Sequence, residues 1–361
     1  MPVARSSSTS QGALLPQPAT APLHGGPDAL GVPVHDLSSN ANACGACPTA
    51  RHALARADAR HYPDPAYTAL VHALAGWHGV APERIVIAAS ASEFIQRIST
   101  AVRLRAAADG AGVPAVWQPA HAYGDYARAA QAAGLHPVAD PGAAALLWSC
   151  EPSSPLGRAD AGLAARVAAL QPGQVLVLDQ AYEPLRLAGA PSLDAAALER
   201  VWRLVTPNKA LGLTGVRAAY AIAPRAPDPA LLQRLRLLAP SWPLGAHGVA
   251  LLQAWTTDEA QAWLAACRPR LRRWKARQAE HLHAAGWQVL PGDANFLVAR
   301  PAGSAPMAER AAALQTLLVR LRQRGVKLRD CTSFGLAGWA RLAVAPPATQ
   351  DALAAALKAL A

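Results

Sequence analysis

Short apolar runs alternate with amphipathic segments along most of the chain. Stretches such as RIVIAAS, AALLWSC and QVLVLDQ are typical of buried strands, and segments such as SEFIQRISTAVRL and ADAGLAARVAAL between them are typical of helices. Strands that alternate with helices in this way predict an α/β layer around a mainly parallel sheet.

Glycine and proline divide the chain into three parts. Residues 1–35 lack a continuous apolar stretch, which predicts a partly disordered N-terminal arm. The segment APSWPLGAHG near residue 245 ends the alternating pattern, and a long helical run with shorter strands and helices follows it. We therefore predict a large domain over residues 36–245 and a smaller α+β domain over residues 246–361.

Composition limits the kind of protein. The chain has 361 residues, of which 52% are hydrophobic, and this is enough for a large core. No apolar run reaches the roughly 18 to 20 residues that a membrane span needs, so we expect a soluble, cytoplasmic protein without a membrane partner. The net charge of +11 comes mainly from arginines spread along helices, which argues against a nucleic-acid partner and favours an anionic small substrate.

The five cysteines indicate neither a disulfide framework nor a metal site. They are odd in number and scattered, as is usual in a reducing compartment. Cys44 and Cys47 form a C-x-x-C pair, but no second Cys or His pair follows at the spacing of a zinc finger. We therefore expect neither redox chemistry nor a bound metal there.

The stretch RLVTPNKALGLTGVRAAYAIAP contains one of only four lysines in an arginine-rich chain. Lys209 follows a β-type run. Thr206 and Asn208 precede it, and a glycine-spaced turn follows it. An amine in such a place can form a Schiff base with a carbonyl cofactor. Arg217, eight residues later, offers a fixed cationic fork for a phosphate.

Two further strand ends carry candidate site residues. Ser90, Ala91 and Ser92 join a strand to a helix, where backbone N–H groups and the helix dipole can bind an anion; an ordinary serine cap is the alternative. Asp179 ends the apolar strand VLVLD, at the edge where ligands collect in open α/β sheets, and Tyr182 follows three residues later. For Asp179 the alternative is a loop cap.

Together these residues resemble the fold-type-I pyridoxal-phosphate enzymes, specifically the class I/II aminotransferase superfamily. YPDP, SASE, YGDY, EPSSPLG, LDQAY, TPNKALGLTGVR and LRDCTSFGLAGWARLAV occur in the family's order and at its spacings across nearly the whole chain. The resemblance implies a large domain with a mainly parallel seven-stranded sheet, a smaller α+β C-terminal domain, and pyridoxal 5'-phosphate as the cofactor.

The resemblance also implies roles for individual residues toward the cofactor ring. Lys209 would form the Schiff base and carry the proton, and Asp179 would pair with the protonated ring nitrogen. Tyr182 would hydrogen-bond the phenolic oxygen. Tyr123 would stack on the ring, with His121 as a less favoured substitute.

The same resemblance places the cofactor phosphate and implies a homodimer. The residues that match the phosphate cup are Ser90, Ala91, Ser92, Thr206 and Arg217. Tyr62 matches a tyrosine that reaches the cofactor phosphate of the partner subunit. Two positions depart from the family: Ser154 stands where an asparagine usually bonds the phenolic oxygen, and Asn208 stands where many members have serine. These departures concern the rate rather than the reaction class.

Arginines near the C-terminus imply a doubly anionic substrate. In the family an arginine at the position of Arg341 clamps a substrate carboxylate as a bidentate pair. Arg329 resembles a second arginine of members that bind phosphorylated amino acids; the alternative is a surface ion pair. The N-terminal HGG, with His24, and the segment DLSSNANACG, with Asn42, resemble threonine-phosphate decarboxylases, which places both residues at the substrate end of the cleft. For His24 an ordinary loop histidine is the alternative.

Two reactions on a small phosphorylated amino acid share these features. The HGG segment and the arginine pair favour a lyase, the threonine-phosphate decarboxylase of cobalamin biosynthesis. The alternative is a transaminase, either a histidinol-phosphate aminotransferase or another class I/II member, and a non-catalytic regulator with this fold is a remote one. The reactions differ in which bond at the substrate Cα lies perpendicular to the cofactor ring, and the sequence leaves that orientation open.

Overall fold

The computed structural model describes residues 25–110 and 112–360. His24 and most of the predicted arm therefore lie outside the described residues. The helices are α1 Pro48–Ala55, α2 Thr68–His78, α3 Ala91–Ala108, α4 Gly124–Ala133, α5 Leu163–Ala168, α6 Ala195–Leu198, α7 Pro229–Leu237, α8 Ala246–Trp255, α9 Asp258–Ala284, α10 Met307–Gln323 and α11 Pro347–Lys358. Within this part of the chain, no helix is both long and apolar enough to cross a membrane.

The strands form three sheets. They are β1 His35–Asp36, β2 Ile85–Ala88, β3 Ala115–Trp117, β4 His136–Pro137, β5 Leu146–Cys150, β6 Val175–Asp179, β7 Trp202–Val205, β8 Ala219–Ile222, β9 Trp287–Leu290, β10 Phe296–Pro301, β11 Val326–Lys327, β12 Arg329–Asp330 and β13 Ala340–Ala343. The large sheet has the order β2-β8-β7-β6-β5-β3-β4, and β8 runs against both of its neighbours while the others are parallel. The predicted α/β class with a mainly parallel seven-stranded sheet is confirmed.

Helices cover both faces of the large sheet. Every residue of β5 and β6 is buried, which explains why these strands read as continuous apolar runs rather than alternating ones. On one face the core includes Phe94 of α3 and Tyr126 of α4, whose ring stacks on Trp148 of β5 at 4.4 Å. On the other face α1, α2, α8 and the start of α9 pack against Tyr220 and Val205. The carboxyl ends of β5, β6 and β7 therefore meet at one fixed edge.

The C-terminal part of the chain has its own sheet and core. Its order is β12-β13-β10-β9, with antiparallel neighbours, and α10, α11 and the end of α9 cover it. Strand β1 pairs with β11 in parallel, His35 opposite Val326. Residue 36, predicted to open the large domain, thus pairs with a strand of the C-terminal part, and Leu37 is fully buried in that core. The predicted boundary near residue 245 stays a prediction.

Candidate active site

A cavity of about 380 Å³ lies at the carboxyl edge of the large sheet, where it meets the C-terminal part of the chain. Most of the predicted site residues line it. They are Ser90, Ala91, Ser92, Tyr123, Ser154, Asp179, Tyr182, Thr206, Asn208, Lys209, Arg217, Arg329 and Arg341. These positions are far apart in sequence, and the parallel strands bring them together because their carboxyl ends share one edge.

Asp179 is held rigidly at the floor of the cavity. It is the last residue of β6 and is only 4% exposed. The Tyr126 hydroxyl donates to its Oδ2 at 2.7 Å, and the Ala181 N–H donates to its Oδ1 at 2.9 Å. Burial raises the pKa of Asp179, while the bond from Tyr126, the bond from Ala181 and the charge of Lys209 act in the opposite direction. A cationic group placed against this carboxylate would relieve the cost of burying its charge.

Tyr126 is a residue that the sequence analysis missed. It is the second tyrosine of YGDY, and its ring is fully buried between the sheet and α4. Its hydroxyl supplies the only side-chain hydrogen bond found for Asp179 within the described residues. The motif contains two tyrosines three residues apart. Tyr123 precedes α4 in extended backbone and lines the cavity, whereas Tyr126 is in the first turn of α4 and reaches the carboxylate of Asp179.

Lys209 faces the same cavity from the loop after β7. Its carbonyl accepts a hydrogen bond from the Asn42 N–H at 2.9 Å, and its own N–H donates to Asn208 Oδ1 at 2.9 Å. The Lys209 Nζ lies 5.2 Å from the centre of the Tyr182 ring. Gly212 allows the turn to pack closely, since it has a φ of 66° and a Cβ there would lie 2.1 Å from the Gly45 carbonyl oxygen.

Asn42, predicted at the substrate end, does not line the cavity. Its side-chain amide donates to the Ala210 carbonyl at 3.0 Å and accepts from the Cys44 N–H at 3.0 Å, so it supports the loop that carries Lys209. Asn40 lines the cavity instead and donates from Nδ2 to the Tyr182 hydroxyl at 3.2 Å. Its buried Oδ1 has no hydrogen-bond partner among the described residues. The segment DLSSNANACG offers two asparagines, and an irregular loop has no period that says which one faces inward.

One end of the cavity suits a phosphate. Ser90 caps α3 by accepting a hydrogen bond from the Glu93 N–H at 3.1 Å, and Glu93 accepts in return from the Ala89 N–H at 3.1 Å. Ser90 is therefore the N-cap of α3, and its role toward a phosphate stays a prediction. The helix N-terminus directs partial positive charge toward Ala91 and Ser92.

The buried hydroxyl of Thr206 is a second feature of the cavity that suits a phosphate. Thr206 is only 4% exposed, and its Oγ1 has no hydrogen-bond partner among the described residues. Burying a hydroxyl without a partner is costly, so a ligand oxygen at this place would satisfy it. Arg217 also lines the cavity, and these residues together fit the phosphate group of pyridoxal 5'-phosphate.

Two buried arginines, Arg329 and Arg341, also line the cavity and lie over the ring of Phe334, at 4.9 and 5.4 Å; this part of the cavity is called the arginine end. Arg341 is 7% exposed and donates to Ser154 Oγ at 3.1 Å. Arg329 is 5% exposed, so it is not a surface residue, and it donates to Ser333 Oγ at 2.7 Å. Burial lowers the pKa of Arg329, and the charge of Arg341 lowers it further. Two cations that disfavour each other at short range form a strong site for an anion.

Three more residues that the family resemblance singled out are Ser154, Tyr62 and His121. Ser154 bonds to Arg341, which is a different use from that of the family's asparagine at the phenolic oxygen. Tyr62 lies outside this chain's cavity, is 79% exposed, and stacks on Trp242 at 4.5 Å. The His121 ring lies within 2.8 Å of the Phe334 carbonyl, and Tyr123 rather than His121 lines the cavity.

The fold and this cavity define an enzyme that uses pyridoxal 5'-phosphate. Residues 138–360 match the family model of aminotransferase class I and II. The chain is also 30% identical over 321 residues to histidinol-phosphate aminotransferase 1 of Burkholderia pseudomallei, a match that covers 83% of each chain. The chain therefore belongs to the class I and II aminotransferase family. The predicted superfamily, cofactor and enzymatic nature are confirmed, and a non-catalytic regulator is not supported.

Solved structures share the fold. Histidinol-phosphate aminotransferase from Sinorhizobium meliloti, solved in complex with pyridoxal-5'-phosphate, is 24% identical with a TM-score of 0.74 and covers 90% of each chain. L-threonine-O-3-phosphate decarboxylase from Porphyromonas gingivalis is 19% identical with a TM-score of 0.72, over 90% of this chain and 98% of that one. At such identities the likeness concerns the fold, so the reaction has to be argued from the site.

Proposed function

We propose that the protein is an aminotransferase that transfers an amino group between histidinol phosphate and 2-oxoglutarate. The proposal depends on one observation: Arg329 and Arg341 are both buried, both line the cavity, and both lie over the ring of Phe334, at 4.9 and 5.4 Å. A second phosphate would be bound there while the first belongs to the cofactor. The curated relative with 30% identity acts on such a phosphorylated substrate by name. The threonine-phosphate decarboxylase favoured by the sequence analysis has less support.

The cofactor would be held by residues that precede and follow Lys209 in the sequence. Ser90, Ala91, Ser92, Thr206 and Arg217 would bind its phosphate, and Tyr123 would cover its ring. When bound, the cofactor supplies an aldehyde for the amine and an aromatic system that accepts electrons from the substrate Cα. Asp179 would lie against the ring nitrogen, and Tyr182, oriented by Asn40, would donate to the phenolic oxygen.

Three side chains of the cavity would have different roles in the reaction. Lys209 would hold the cofactor and move the proton at the substrate Cα, because its amine faces the cavity 5.2 Å from the centre of the Tyr182 ring. Arg329 would bind the phosphate of histidinol phosphate. Arg341 would bind a carboxylate of 2-oxoglutarate or glutamate in the other half-reaction, since histidinol phosphate has no carboxylate.

Decarboxylation of threonine phosphate is the second candidate, and one observation favours it. Gly25, from the HGG segment, lines the arginine end of the cavity together with Ser38 and Asn40. This segment resembles the N-terminal HGG of threonine-phosphate decarboxylases, and its backbone forms part of the cavity wall. The fold likeness to a threonine-phosphate decarboxylase is compatible with this reading.

A two-substrate assay distinguishes the reactions. Purified holoenzyme is expected to convert histidinol phosphate and 2-oxoglutarate to the corresponding keto phosphate and glutamate, measured as formation of glutamate or consumption of 2-oxoglutarate. It is expected to release no CO2 from threonine phosphate. Arg329→Lys is expected to raise KM for histidinol phosphate roughly 10- to 100-fold, as expected when a charged hydrogen-bond pair loses its geometry. CO2 release from threonine phosphate without transamination would replace the proposal by the second candidate.

The matched control is Arg51→Lys, an exposed arginine on α1. It should leave KM unchanged. Histidinol without its phosphate provides the second control, because its KM should be nearly the same in wild type and Arg329→Lys. Equal KM effects on both compounds would contradict the assignment of Arg329 to the phosphate.

We also propose a homodimer in which Tyr62 serves the neighbouring subunit. Tyr62 and Trp242 form an exposed aromatic pair, and Trp242 adopts a positive φ of 49°, unusual for a bulky residue. Exposed stacked aromatics of this kind are enriched in protein interfaces. Their position outside the cavity of their own chain is compatible with a role in a second copy.

Light scattering is expected to give a mass twice the 37.5 kDa of one chain. Tyr62→Phe keeps the stacked ring but removes the hydroxyl, so it should preserve the dimer and weaken cofactor binding roughly fivefold, about the value of one hydrogen bond. A monomer that binds the cofactor fully would contradict both parts.

A further inference from the structure

An ion cluster lies beside the arginine end of the cavity, outside its walls. Asp28 Oδ2 is 2.9 Å from Lys327 Nζ, and Asp28 Oδ1 is 2.8 Å from Arg322 Nη2. Lys327 is on β11 and Arg322 is near the end of α10, and their side chains are only 15% and 14% exposed. The two cations hold the pKa of Asp28 well below its usual range. The N-terminal loop is thereby fixed to the C-terminal part of the chain.

The same lysine holds the glycine turn that forms part of the cavity wall. Lys327 Nζ donates to the Gly26 carbonyl at 2.6 Å, and the Gly26 N–H donates to Ser38 Oγ at 2.8 Å. Gly25 lines the cavity, and a Cβ on it would lie 2.1 Å from the Ser38 carbonyl oxygen. A compact ammonium can reach a carboxylate and a carbonyl from one point, which suits lysine better than the planar guanidinium used elsewhere in this chain.

Ser38 connects the turn to the substrate-binding arginine. Its carbonyl accepts a hydrogen bond from Arg341 Nη2 at 3.5 Å, and its hydroxyl donates to Asp36 at 2.6 Å. A shift of the turn away from Ser38 would therefore change the surroundings of Arg341. Lys327 and Asp28 do not line the cavity, so any effect of theirs on a ligand must pass through the turn.

We infer that Asp28 and Lys327 are positioning residues that hold the Gly25–Gly26 turn against Ser38 and so set the affinity of the arginine end for a phosphate-bearing substrate. The inference rests on the proposed function in taking Arg329, which would bind the substrate phosphate, and Arg341, which would bind a carboxylate, as the anion-binding groups of the substrate. The wall of the cavity that Gly25 forms is held from outside the cavity, by the ion pair between Asp28 of the N-terminal loop and Lys327 of β11.

The test uses holoenzyme, in which the cofactor occupies the other phosphate-binding end, and inorganic phosphate as the probe. Calorimetry should give a phosphate affinity roughly tenfold weaker in Lys327→Met and in Asp28→Asn than in wild type, the effect of losing one charged hydrogen bond. Hydrogen exchange of residues 25–34 should be faster in both variants. Lys327→Arg should recover part of the affinity, and the visible absorbance of the cofactor should not change.

Lys358→Met is the matched control, since Lys358 is an exposed lysine at the end of α11. It should bind phosphate like wild type. Faster exchange of residues 25–34 with unchanged phosphate affinity would overturn the inference, because the turn would then be structural only. Absence of phosphate binding to wild type would overturn it too. A wild type that binds phosphate but does not turn over histidinol phosphate would refute the proposed function and leave the inference standing.

Discussion

Replacing Lys209 with alanine is expected to lower turnover by roughly 10⁴-fold or more, the scale of loss when one residue serves as both nucleophile and proton carrier. The side chain lies in the cavity, 5.2 Å from the ring of Tyr182, and its charge acts on Asp179 at the floor. Alanine leaves the backbone contacts of the loop intact, since Asn42 bonds the Lys209 carbonyl rather than the amine. The measurements are turnover and the visible absorbance of bound cofactor.

Two variants separate loss of the amine from loss of charge or of folding. Lys209→Arg keeps a cation but has no amine able to bind an aldehyde, so its turnover should fall as far as that of the alanine variant. Lys358→Ala changes an exposed lysine and should behave like wild type. If Lys209→Ala kept both the absorbance and the turnover of wild type, the assignment of this lysine would be refuted.

The sequence predicted the sheet edge and the residues on it because their positions follow from a simple rule. Asp179 ends an apolar strand and Lys209 follows the next one, and carboxyl ends of parallel strands meet. β6 and β7 are indeed parallel neighbours, with Asp179 opposite Leu204. The order of the motifs then extended the set to Arg329 and Arg341, which no strand rule would place.

Loops and long-range contacts account for what the sequence did not predict. Asn40 and Asn42 are two residues apart in a segment without regular structure, so no periodicity selects the one that faces the cavity. The pairing of β1 with β11 and the bond from Lys327 to Gly26 connect residues about 300 positions apart. These contacts accompany the packing of Leu37 into the C-terminal core, and no local pattern in the sequence predicts them.

The second large effect is expected for Asp179→Asn, which should lower turnover roughly 10³-fold, as when a preorganised charge is removed from a buried site. Asparagine has nearly the same shape and can still accept from the Ala181 N–H, but it has no negative charge to keep the cofactor's ring nitrogen protonated. Tyr126→Phe is the control: it removes one hydrogen bond and keeps the carboxylate, so turnover should fall less than tenfold.

The same substitution, Asp179→Asn, is expected to lower turnover without lowering the thermal stability of the cofactor-free protein. Burial raises the pKa of Asp179 although the charge of Lys209 acts in the opposite direction, so the charged form is disfavoured in the folded chain without cofactor. Removing that charge should therefore leave the thermal midpoint of cofactor-free Asp179→Asn equal to or above that of wild type, while cofactor should raise the midpoint less in the variant. A variant with a lower midpoint without cofactor and normal turnover with it would show that Asp179 is a structural residue, because a carboxylate kept for an ionic partner costs stability when that partner is absent.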